Sequence, residues 1–351
     1  MNSLVSIIIP YFNRCDFVKV MVESVISQSY KNWELLMVDD GSTDGTHEYV
    51  DSIAATDSRV ISLSREPDKK GAPACRNMGL KYSKGEYVVF LDSDDYIDEN
   101  CIFQRVKFME SRKDLDFGVF PGLMYSGKEL KDGNHFFGVQ VLGNDEFDFV
   151  MRDLPFTVVN TIIRKDSLIT KGRIWDEQLL SLQDADFNIQ NIFEGLKYDY
   201  ARGSVIDYYA RIIGNTGSVS KKAKTPKHMQ SHLYYAQKLH ESLERRDNKH
   251  RLAFMFCIQG LFMIVQADSY YGTEMVKLVN QSSAYGIFMR IKASLYRLLI
   301  KCHLSYRITN WLVFPTYMAI YKIASVKRRI LYKDYKPSTD VLEKLHSILL
   351  S

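Results

Sequence analysis

The sequence predicts an α/β protein in which helices flank a mostly parallel sheet, with a helical region at the C-terminal end. Three observations support this fold class: short apolar runs alternate with helix-like stretches over the first hundred residues, each run ends in polar residues, and the last third is unusually basic. Regular alternation of this kind indicates right-handed βαβ units in a Rossmann-like sheet. We therefore predict one domain over residues 1–220 and a helical, basic region over residues 221–351.

The first elements follow from the apolar runs and from the residues that interrupt them. Strands are predicted at four runs rich in aliphatic residues, Leu4–Ile9, Glu34–Val38, Arg59–Leu63 and Gly85–Val89. Pro10 is expected to end the first strand, because proline cannot donate a hydrogen bond to a ladder. Helices are predicted to begin near Asn13 or Asp16, near Thr43 or Asp44, after Gly71 and near Asp98.

Composition indicates a globular protein of a reducing compartment. Of the 351 residues, 46% are hydrophobic and 25% are charged, which argues against a disordered chain. The five cysteines are scattered, odd in number and without a Cys-x-x-Cys pair, so neither a disulfide framework nor a zinc site is expected. Because Met1 leads directly into a strand-like run, we expect no signal peptide and a cytoplasmic location.

The polar residues that end three predicted strands indicate a ligand site. Ligands of parallel α/β sheets bind beyond the carboxyl ends of the strands, and these ends carry Pro10–Asn13, Asp39–Ser42 and Asp92–Asp95. No Gly-x-Gly-x-x-Gly follows the first strand, and no P-loop sequence occurs in the chain. A dinucleotide dehydrogenase and a P-loop enzyme are therefore both disfavoured.

Asp92, Asp94 and Asp95 concentrate three carboxylates at the end of the fourth strand. Two carboxylates two residues apart suit a divalent cation, which prefers hard oxygen ligands. The alternative is that Asp94 or Asp95 only caps the following helix. A cation held by Asp94 would also offset the charge of a nucleoside diphosphate.

Three further side chains have the chemistry to bind a nucleotide. Phe12 could stack on a base, Asp40 could accept a hydrogen bond from a base imide, and Arg76 could neutralise phosphate. Each has an ordinary alternative: core packing for Phe12, a turn for Asp39 and Asp40, and a solvated helix surface for the arginine.

Four short motifs occur in order along the first domain. They are Ser6-Ile-Ile-Ile-Pro-Tyr-Phe-Asn13, Val38-Asp-Asp-Gly-Ser-Thr-Asp44, Ala74-Cys-Arg-Asn-Met-Gly79 and Phe90-Leu-Asp-Ser-Asp-Asp95. Together they resemble glycosyltransferase family 2 over roughly residues 3–220. The resemblance implies the GT-A fold and inverting transfer of a sugar from a nucleotide-sugar donor.

The resemblance also implies roles for individual residues. Pro10, Phe12 and Asp40 are expected around the nucleobase, and Asp92-Ser93-Asp94 corresponds to the DxD motif of the family. Asp92 is expected near the ribose and Asp94 on Mn²⁺ or Mg²⁺, with Asp92 as a second candidate metal ligand. The full set of predicted donor-binding residues is Pro10, Phe12, Asn13, Asp40, Gly71, Arg76, Asp92 and Ser93.

The expected general base is Asp184, in Leu182-Gln183-Asp184-Ala-Asp186-Phe187. The family usually has a Glu-Asp pair at the start of a helix here, and Gln183 departs from the glutamate. An inverting transfer needs one carboxylate to deprotonate the acceptor hydroxyl. The alternatives are that Asp184 only caps the helix, or that Asp186 is the base. Ile213 stands where many members carry a metal-binding histidine, so fewer protein ligands to the metal are expected.

The C-terminal region is strongly basic. Between Glu274 and Asp334 there are eleven Lys or Arg and no Asp or Glu, and because the whole chain is +4 the remainder sums to −7. Basic helices with aromatic anchors are typical of binders of an anionic membrane surface, here the inner face of the cell membrane. The alternatives are a solvated helical subdomain or a subunit contact. The apolar run Leu252–Val265 is too short to span a bilayer, and nucleic-acid binding is not expected because no recognised module is present.

We therefore expect a metal-dependent, inverting hexosyl- or N-acetylhexosaminyl-transferase. Its donor is expected to be a UDP-sugar, and its acceptor a glycan or a lipid-linked oligosaccharide, as in surface polysaccharide assembly. The alternative is a GT-A-like binding or scaffold module without chemistry, at which Gln183 and Ile213 hint. A sugar-nucleotide pyrophosphorylase is disfavoured, because Tyr11-Phe12-Asn13-Arg14 replaces the glycine-rich, basic signature of such enzymes.

Overall fold

A computed structural model describes most of the first 246 residues and one further helix. The described residues are 2–125, 136–140, 145–150, 154–211, 225–246, 269–281 and 291. Ile213, the run Leu252–Val265 and, apart from residue 291, the basic segment after residue 286 lie outside the described residues. In the part that is described, no helix has the length and apolar character needed to cross a bilayer.

Strands and helices alternate along the described chain, with the predicted elements of the first hundred residues displaced by a few residues at their ends. The strands are β1 (Val5–Tyr11), β2 (Trp33–Asp39), β3 (Val60–Ser64), β4 (Tyr87–Phe90), β5 (Tyr96–Ile97), β6 (Phe117–Val119), β7 (Gly122–Tyr125), β8 (Phe136–Phe137), β9 (Thr161–Arg164), β10 (Tyr198–Tyr200) and β11 (Tyr208–Arg211). The helices are α1 (Cys15–Ile26), α2 (Thr46–Ala54), α3 (Ala72–Tyr82), α4 (Cys101–Ser111), α5 (Asp145–Val150), α6 (Lys165–Thr170), α7 (Gln183–Phe193), α8 (Pro226–Glu244) and α9 (Ser269–Gln281), with a 3₁₀ turn at Val158–Asn160.

A seven-stranded sheet forms the centre of the fold, in the order β10-β6-β9-β4-β1-β2-β3. Its strands pair in parallel except for β9, which runs antiparallel to β4 and β6. β1, β2 and β4 are buried along their whole length, as expected for inner strands of a parallel sheet, which read as apolar runs. The predicted α/β class with a mostly parallel sheet is confirmed.

Pro10 does not end the first strand, contrary to the prediction. It lies inside β1, opposite Val38 of β2. The ladder between β1 and β4 ends at the pair Ile8–Phe90, and the Ile8 carbonyl accepts the Leu91 N–H at 3.1 Å. Pro10 lies two residues further along the same side of β1, where β4 offers no further partner. Its missing N–H therefore costs no ladder bond.

A second sheet, in the order β5-β11-β7-β8, is fixed to the first by a buried ion pair. Arg105 of α4 and Asp207, which precedes β11, are both fully buried and form two bonds of 2.8 and 2.9 Å. The same guanidinium donates to the carbonyls of Val159 and Thr161 at 2.9 and 3.3 Å. A buried ion pair is favourable only when its polar atoms are satisfied. The Arg105 guanidinium meets this condition by bonding both Asp207 and the Val159 carbonyl of the 3₁₀ turn, and it thereby anchors the turn beside β11.

Helix α8 packs onto the main domain although it lies beyond residue 220. Ser231 Oγ accepts the N–H groups of Leu180 and Ser181 at 2.9 and 3.0 Å. This contact fixes the segment that leads into α7. The buried face of α8 joins the hydrophobic core of the domain through Tyr235, Ala236, Leu239 and Leu243.

Candidate active site

The carboxyl ends of β1, β2 and β4 lie side by side and carry three of the four motifs. β1 pairs with β2 as far as Tyr11–Asp39 and with β4 as far as Ile8–Phe90. The segments that follow these strands therefore meet at one edge of the sheet. The structure brings the nucleobase candidates and the acidic cluster to the edge where ligands of such sheets bind.

Phe12 and Asn13 form the loop that leaves β1. Asn13 adopts a left-handed backbone with φ of 49°. Its side-chain oxygen accepts the Thr43 N–H at 2.7 Å, and its own N–H donates to Ser42 Oγ at 3.0 Å. Phe12 is 50% exposed, so core packing does not explain it. A half-exposed ring beside a loop fixed in this way offers a stacking surface to a planar ligand.

Asp39 and Asp40 make different contacts. The Asp39 carboxylate accepts the N–H groups of Gly41 and the residue after it at 3.0 Å, so Asp39 forms the turn. Asp40 Oδ1 instead accepts Arg65 Nε at 2.6 Å and the Gly71 N–H at 2.9 Å. Among the described residues nothing donates to Asp40 Oδ2. Asp40 thus joins the loop after β2 to the start of α3 and keeps one oxygen for a further donor.

Asp95 links the acidic cluster to the second sheet. Its buried carboxylate accepts the Tyr208 hydroxyl and, at 2.8 Å, the Arg211 N–H, both in β11. Burial, together with the charges of Asp94 and Asp92, raises the pKa of Asp95 well above its usual value. Asp95 therefore has a structural role, because it fixes the loop that carries Asp92 and Asp94.

Asp92 and Asp94 each pair with an arginine. Arg76 Nη2 lies 2.7 Å from Asp92 Oδ1, and Arg14 forms an ion pair with Asp94. Burial, opposed by Arg14 and reinforced by the charge of Asp92, raises the pKa of Asp94. Neither Asp94 nor Asp95 caps α4, because the N-cap residue of that helix is Asn100.

The carboxylates of Asp92 and Asp94 are also the donor set available to a divalent cation. Their side chains are 39% and 15% exposed. Over the described ranges, no group of three or more His, Cys, Asp or Glu side chains could hold a metal ion. Two hard carboxylate oxygens fit Mg²⁺ or Mn²⁺, which keep several non-protein oxygen ligands. The residues present therefore fit a cation that takes its remaining ligands from a bound substrate and water.

Arg76 is buried, so a solvated helix surface does not describe it. The residue is 4% exposed, and its Cζ lies 4.4 Å from the ring centroid of Trp175. That ring is itself stacked on Phe187 of α7, with centroids 4.2 Å apart. Besides Asp92, the guanidinium donates to Gln183 Oε1 at 3.2 Å. Arg76 therefore forms a stiff bridge between the end of β4 and the start of α7.

Asp184 lies in the first turn of α7 and faces the same arginine. Its Oδ1 is 3.8 Å from Arg76 Nη1, and its side chain is 26% exposed. Desolvation raises the pKa of Asp184 to about 6, against the lowering effect of Arg76 and with a contribution from Asp92. A carboxylate with this pKa is ionised at neutral pH and is more basic than an ordinary aspartate, which suits proton abstraction.

Asp186 faces the opposite side of the helix. It is 3% exposed, and its carboxylate accepts Lys238 Nζ of α8 at 2.7 Å. The same ammonium group lies 2.7 Å from Asp176. Burial raises the pKa of Asp186 against the opposing charge of Lys238. Asp186 thus belongs to the contact between α7 and α8.

Three residues of this arrangement were not found by sequence reasoning. Arg14 directly follows the first motif, and its charge beside Asn13 was a signal that could have been used. Trp175 and Lys238 gave no signal, because their partners lie far away along the chain. Lys238, for example, is 52 and 62 residues from the two aspartates that it bonds.

The sheet, the acidic loop after β4 and the carboxylate of α7 have the arrangement expected of a GT-A domain. Residues 6–167 match the family model described as Glycosyl transferase family 2. The match covers just under half of the chain and agrees with the resemblance predicted from the four motifs.

Curated relatives agree with this assignment. Glycosyltransferase GlyG of Streptococcus pneumoniae is 39% identical over 142 residues, which cover 40% of this chain and 44% of GlyG. WfaP of Escherichia coli, a UDP-Glc:alpha-D-GlcNAc-diphosphoundecaprenol beta-1,3-glucosyltransferase, is 46% identical over 141 residues, covering 37% of this chain and 55% of WfaP. The chain thus spans about half the length of these two relatives.

Solved structures support the GT-A fold. The crystal structure of residues 1–349 of TarS from S. aureus, in complex with UDP-GlcNAc, has a TM-score of 0.57 at 18% identity and covers 85% of this chain and 91% of that one. The mannosyltransferase PcManGT of Pyrobaculum calidifontis, in complex with GDP-Man and Mn²⁺, has a TM-score of 0.52 at 17% identity, covering 93% and 87%. At these identities the likeness concerns the fold alone, and the predicted fold is confirmed.

Proposed function

We propose that this protein is an inverting, metal-dependent glycosyltransferase that transfers a sugar from a nucleotide-sugar donor, expected to be a UDP-sugar, to a hydroxyl group of its acceptor. The observation that carries the proposal is the shared contact of Arg76 with Asp92 and Asp184. Arg76 links Asp92, the carboxylate expected at the donor ribose, to Asp184, the carboxylate expected to act as base. The donor and the base would thus lie at one site.

Donor binding is assigned to the loops after β1, β2 and β4. Phe12 would stack on the base, and Oδ2 of Asp40 would accept a hydrogen bond from its imide N–H. The remaining predicted donor contacts are Pro10, Asn13, Gly71, Arg76, Asp92 and Ser93. Asp94, with Asp92, would hold Mn²⁺ or Mg²⁺, and a cation bound there supplies positive charge to the leaving diphosphate. The PcManGT complex, which contains Mn²⁺, supports this assignment.

Proton transfer is assigned to Asp184. Its carboxylate would take the proton of the acceptor hydroxyl while that oxygen attacks the anomeric carbon. The bond from this carbon to the diphosphate breaks on the opposite face, and the diphosphate leaves with the electron pair, which inverts the configuration. Arg76 would keep Asp184 ionised at neutral pH and hold it beside the donor.

The acceptor is proposed to be a glycan or a lipid-linked oligosaccharide. Support comes from WfaP, whose name describes an acceptor on diphosphoundecaprenol. Binding of an anionic membrane surface by the basic segment, which lies largely outside the described residues, stays a prediction. The alternative is a binding or scaffold module without chemistry. Of the two residues that hint at it, Gln183 accepts a hydrogen bond from Arg76 at 3.2 Å, and Ile213 lies outside the described residues.

The experiment measures release of nucleoside diphosphate from a panel of nucleotide sugars, with Mn²⁺, with Mg²⁺ and with excess chelator. We expect one donor class to be hydrolysed slowly without acceptor and only with metal. Asp94→Asn should lower this rate by at least about 100-fold, because it removes a charged metal ligand at nearly constant shape. Asp166→Asn, an exposed aspartate on α6, is the matched control.

Each part of the proposal has its own contrary result. Full activity of Asp94→Asn, or full activity in chelator, would overturn the metal dependence. Absence of release from every donor, together with tight binding of an intact nucleotide sugar, would favour the binding module instead.

A further inference from the structure

Arg14 lies where α1 begins and makes an ion pair with Asp94, 80 residues further along the chain. Its backbone is firmly placed: the N–H donates to Thr46 Oγ1 at 3.1 Å, and the carbonyl accepts the Val18 N–H at 2.9 Å. Its side chain is 21% exposed and ends at the acidic cluster. A fixed backbone with a long, partly exposed cationic side chain can change partner without movement of the fold.

A second arginine approaches the same carboxylates from the other sheet. The guanidinium groups of Arg14 and Arg211 both lie against the ring of Phe17, with Cζ 5.9 and 4.7 Å from its centroid. Arg211 belongs to β11, and its N–H bonds Asp95. The Phe17 ring therefore holds two guanidinium groups beside one acidic loop, through cation–π contacts.

Each arginine around the acidic loop faces a carboxylate. Arg76 pairs with Asp92 and also faces Asp184. Arg14 pairs with Asp94, whose charge also acts on the guanidinium of Arg211. A divalent cation on Asp92 and Asp94 would compete with Arg14 for the same carboxylate. A guanidinium displaced in this way, and only partly exposed to water, requires a new anion nearby.

We propose that Arg14 exchanges partners when the donor binds, leaving Asp94 to the cation and pairing with the diphosphate of the nucleotide. The inference rests on the proposed function and adds a diphosphate-binding residue to it. Arginine suits this exchange, because its planar fork bonds carboxylates and phosphates with the same geometry. The consequence would be positive coupling: with Asp94 occupied by a cation, Arg14 would be available to the diphosphate, and with Arg14 on the diphosphate, Asp94 would be available to a cation.

The test is calorimetric binding of Mn²⁺ and of UDP, each alone and in the presence of the other, to the full chain. In Arg14→Gln we expect Mn²⁺ alone to bind about tenfold more tightly, because its competitor is gone. UDP in saturating Mn²⁺ should bind about tenfold more weakly, because a charge-assisted bond to the diphosphate is lost. The coupling between the two ligands should shrink accordingly.

Two further variants separate exchange from structural damage. Arg14→Lys should restore part of the UDP affinity and weaken Mn²⁺ binding again, because the charge returns. Arg112→Gln removes an arginine that also bonds aspartates, Asp114 and Asp199, but lies outside the site. It should leave both affinities unchanged. Thermal unfolding of all variants checks the fold.

The contrary results are distinct from a failure of the proposed function. If Arg14→Gln weakens Mn²⁺ binding, or leaves either affinity unchanged while the wild type binds both ligands, the exchange is overturned and the enzyme assignment is not. If the wild type binds no Mn²⁺ even with UDP present, the metal part of the proposed function fails and the exchange fails with it.

Discussion

The two sides of the first turn of α7 carry the same residue in opposite surroundings. The Asp184 side chain is 26% exposed and faces Arg76, while the Asp186 side chain is 4% exposed and holds Lys238. Burial raises the pKa of both carboxyl groups. A raised pKa therefore does not by itself identify a base. The direction of the side chain and the partner that it faces make the distinction.

The cations opposite these aspartates differ in the same way. Arg76 connects Asp184 to Asp92, a residue of the candidate donor site, through contacts of 3.8 and 2.7 Å. Lys238 connects Asp186 to Asp176 and thereby fastens α8 to the domain. One side of the turn faces the candidate donor site, and the other holds the turn against α8.

The largest expected effect is on turnover. Asp184→Asn should lower kcat by roughly 100-fold or more, the usual size for loss of a general base, with little change in the Kd for UDP. Asp186→Asn is the matched variant and should retain most of the turnover of its folded fraction. Steady-state kinetics with donor and acceptor, alongside calorimetry with UDP, makes the measurement. A large loss in Asp186→Asn together with normal turnover in Asp184→Asn would reverse the assignment.

A smaller effect is expected on stability, on the other side of the turn. Lys238→Met removes the shared partner of two largely buried carboxylates, and we expect the free energy of unfolding to fall by about 2–3 kcal/mol. Urea denaturation at pH 7.5 measures it. Lys227→Met, on the same helix but with an exposed side chain, is the control. An unchanged free energy in Lys238→Met would show that the contact between α7 and α8 does not depend on this pair.

Much of the fold was predictable because local patterns determine it. The apolar runs of β1, β2, β3 and β4 and the polar residues after them predicted the parallel sheet and the edge that carries the site. The prediction that Pro10 ends β1 was wrong, because a proline fits inside this strand once the hydrogen-bond ladder with β4 has ended. That position is set by packing between segments about 80 residues apart, which a local pattern does not record.

The motifs predicted individual residues of the site but not the contacts between them. The sequence indicated Asp92, Asp94 and Asp184, but it did not indicate that one buried arginine joins two of them. The sequence did not exclude a solvated helix surface for Arg76, because its guanidinium is covered by Trp175, whose ring is stacked on Phe187. These aromatic residues come from a distant part of the chain. The roles of the individual site residues stay predictions.

The pH dependence of kcat/KM tests the central claim, that Asp184 is the base, most directly. A base must be deprotonated to act, and burial raises the pKa of Asp184 in the free protein to about 6. Because kcat/KM follows the ionisation of the free enzyme, kcat/KM should fall as the pH is lowered through about 6. Asp186→Asn should keep this acid limb, because Asp186 is buried against Lys238 of α8 and faces away from Arg76. In Asp184→Asn the remaining kcat/KM should show no such limb. Persistence of the limb in Asp184→Asn, or its loss in Asp186→Asn, would contradict the account.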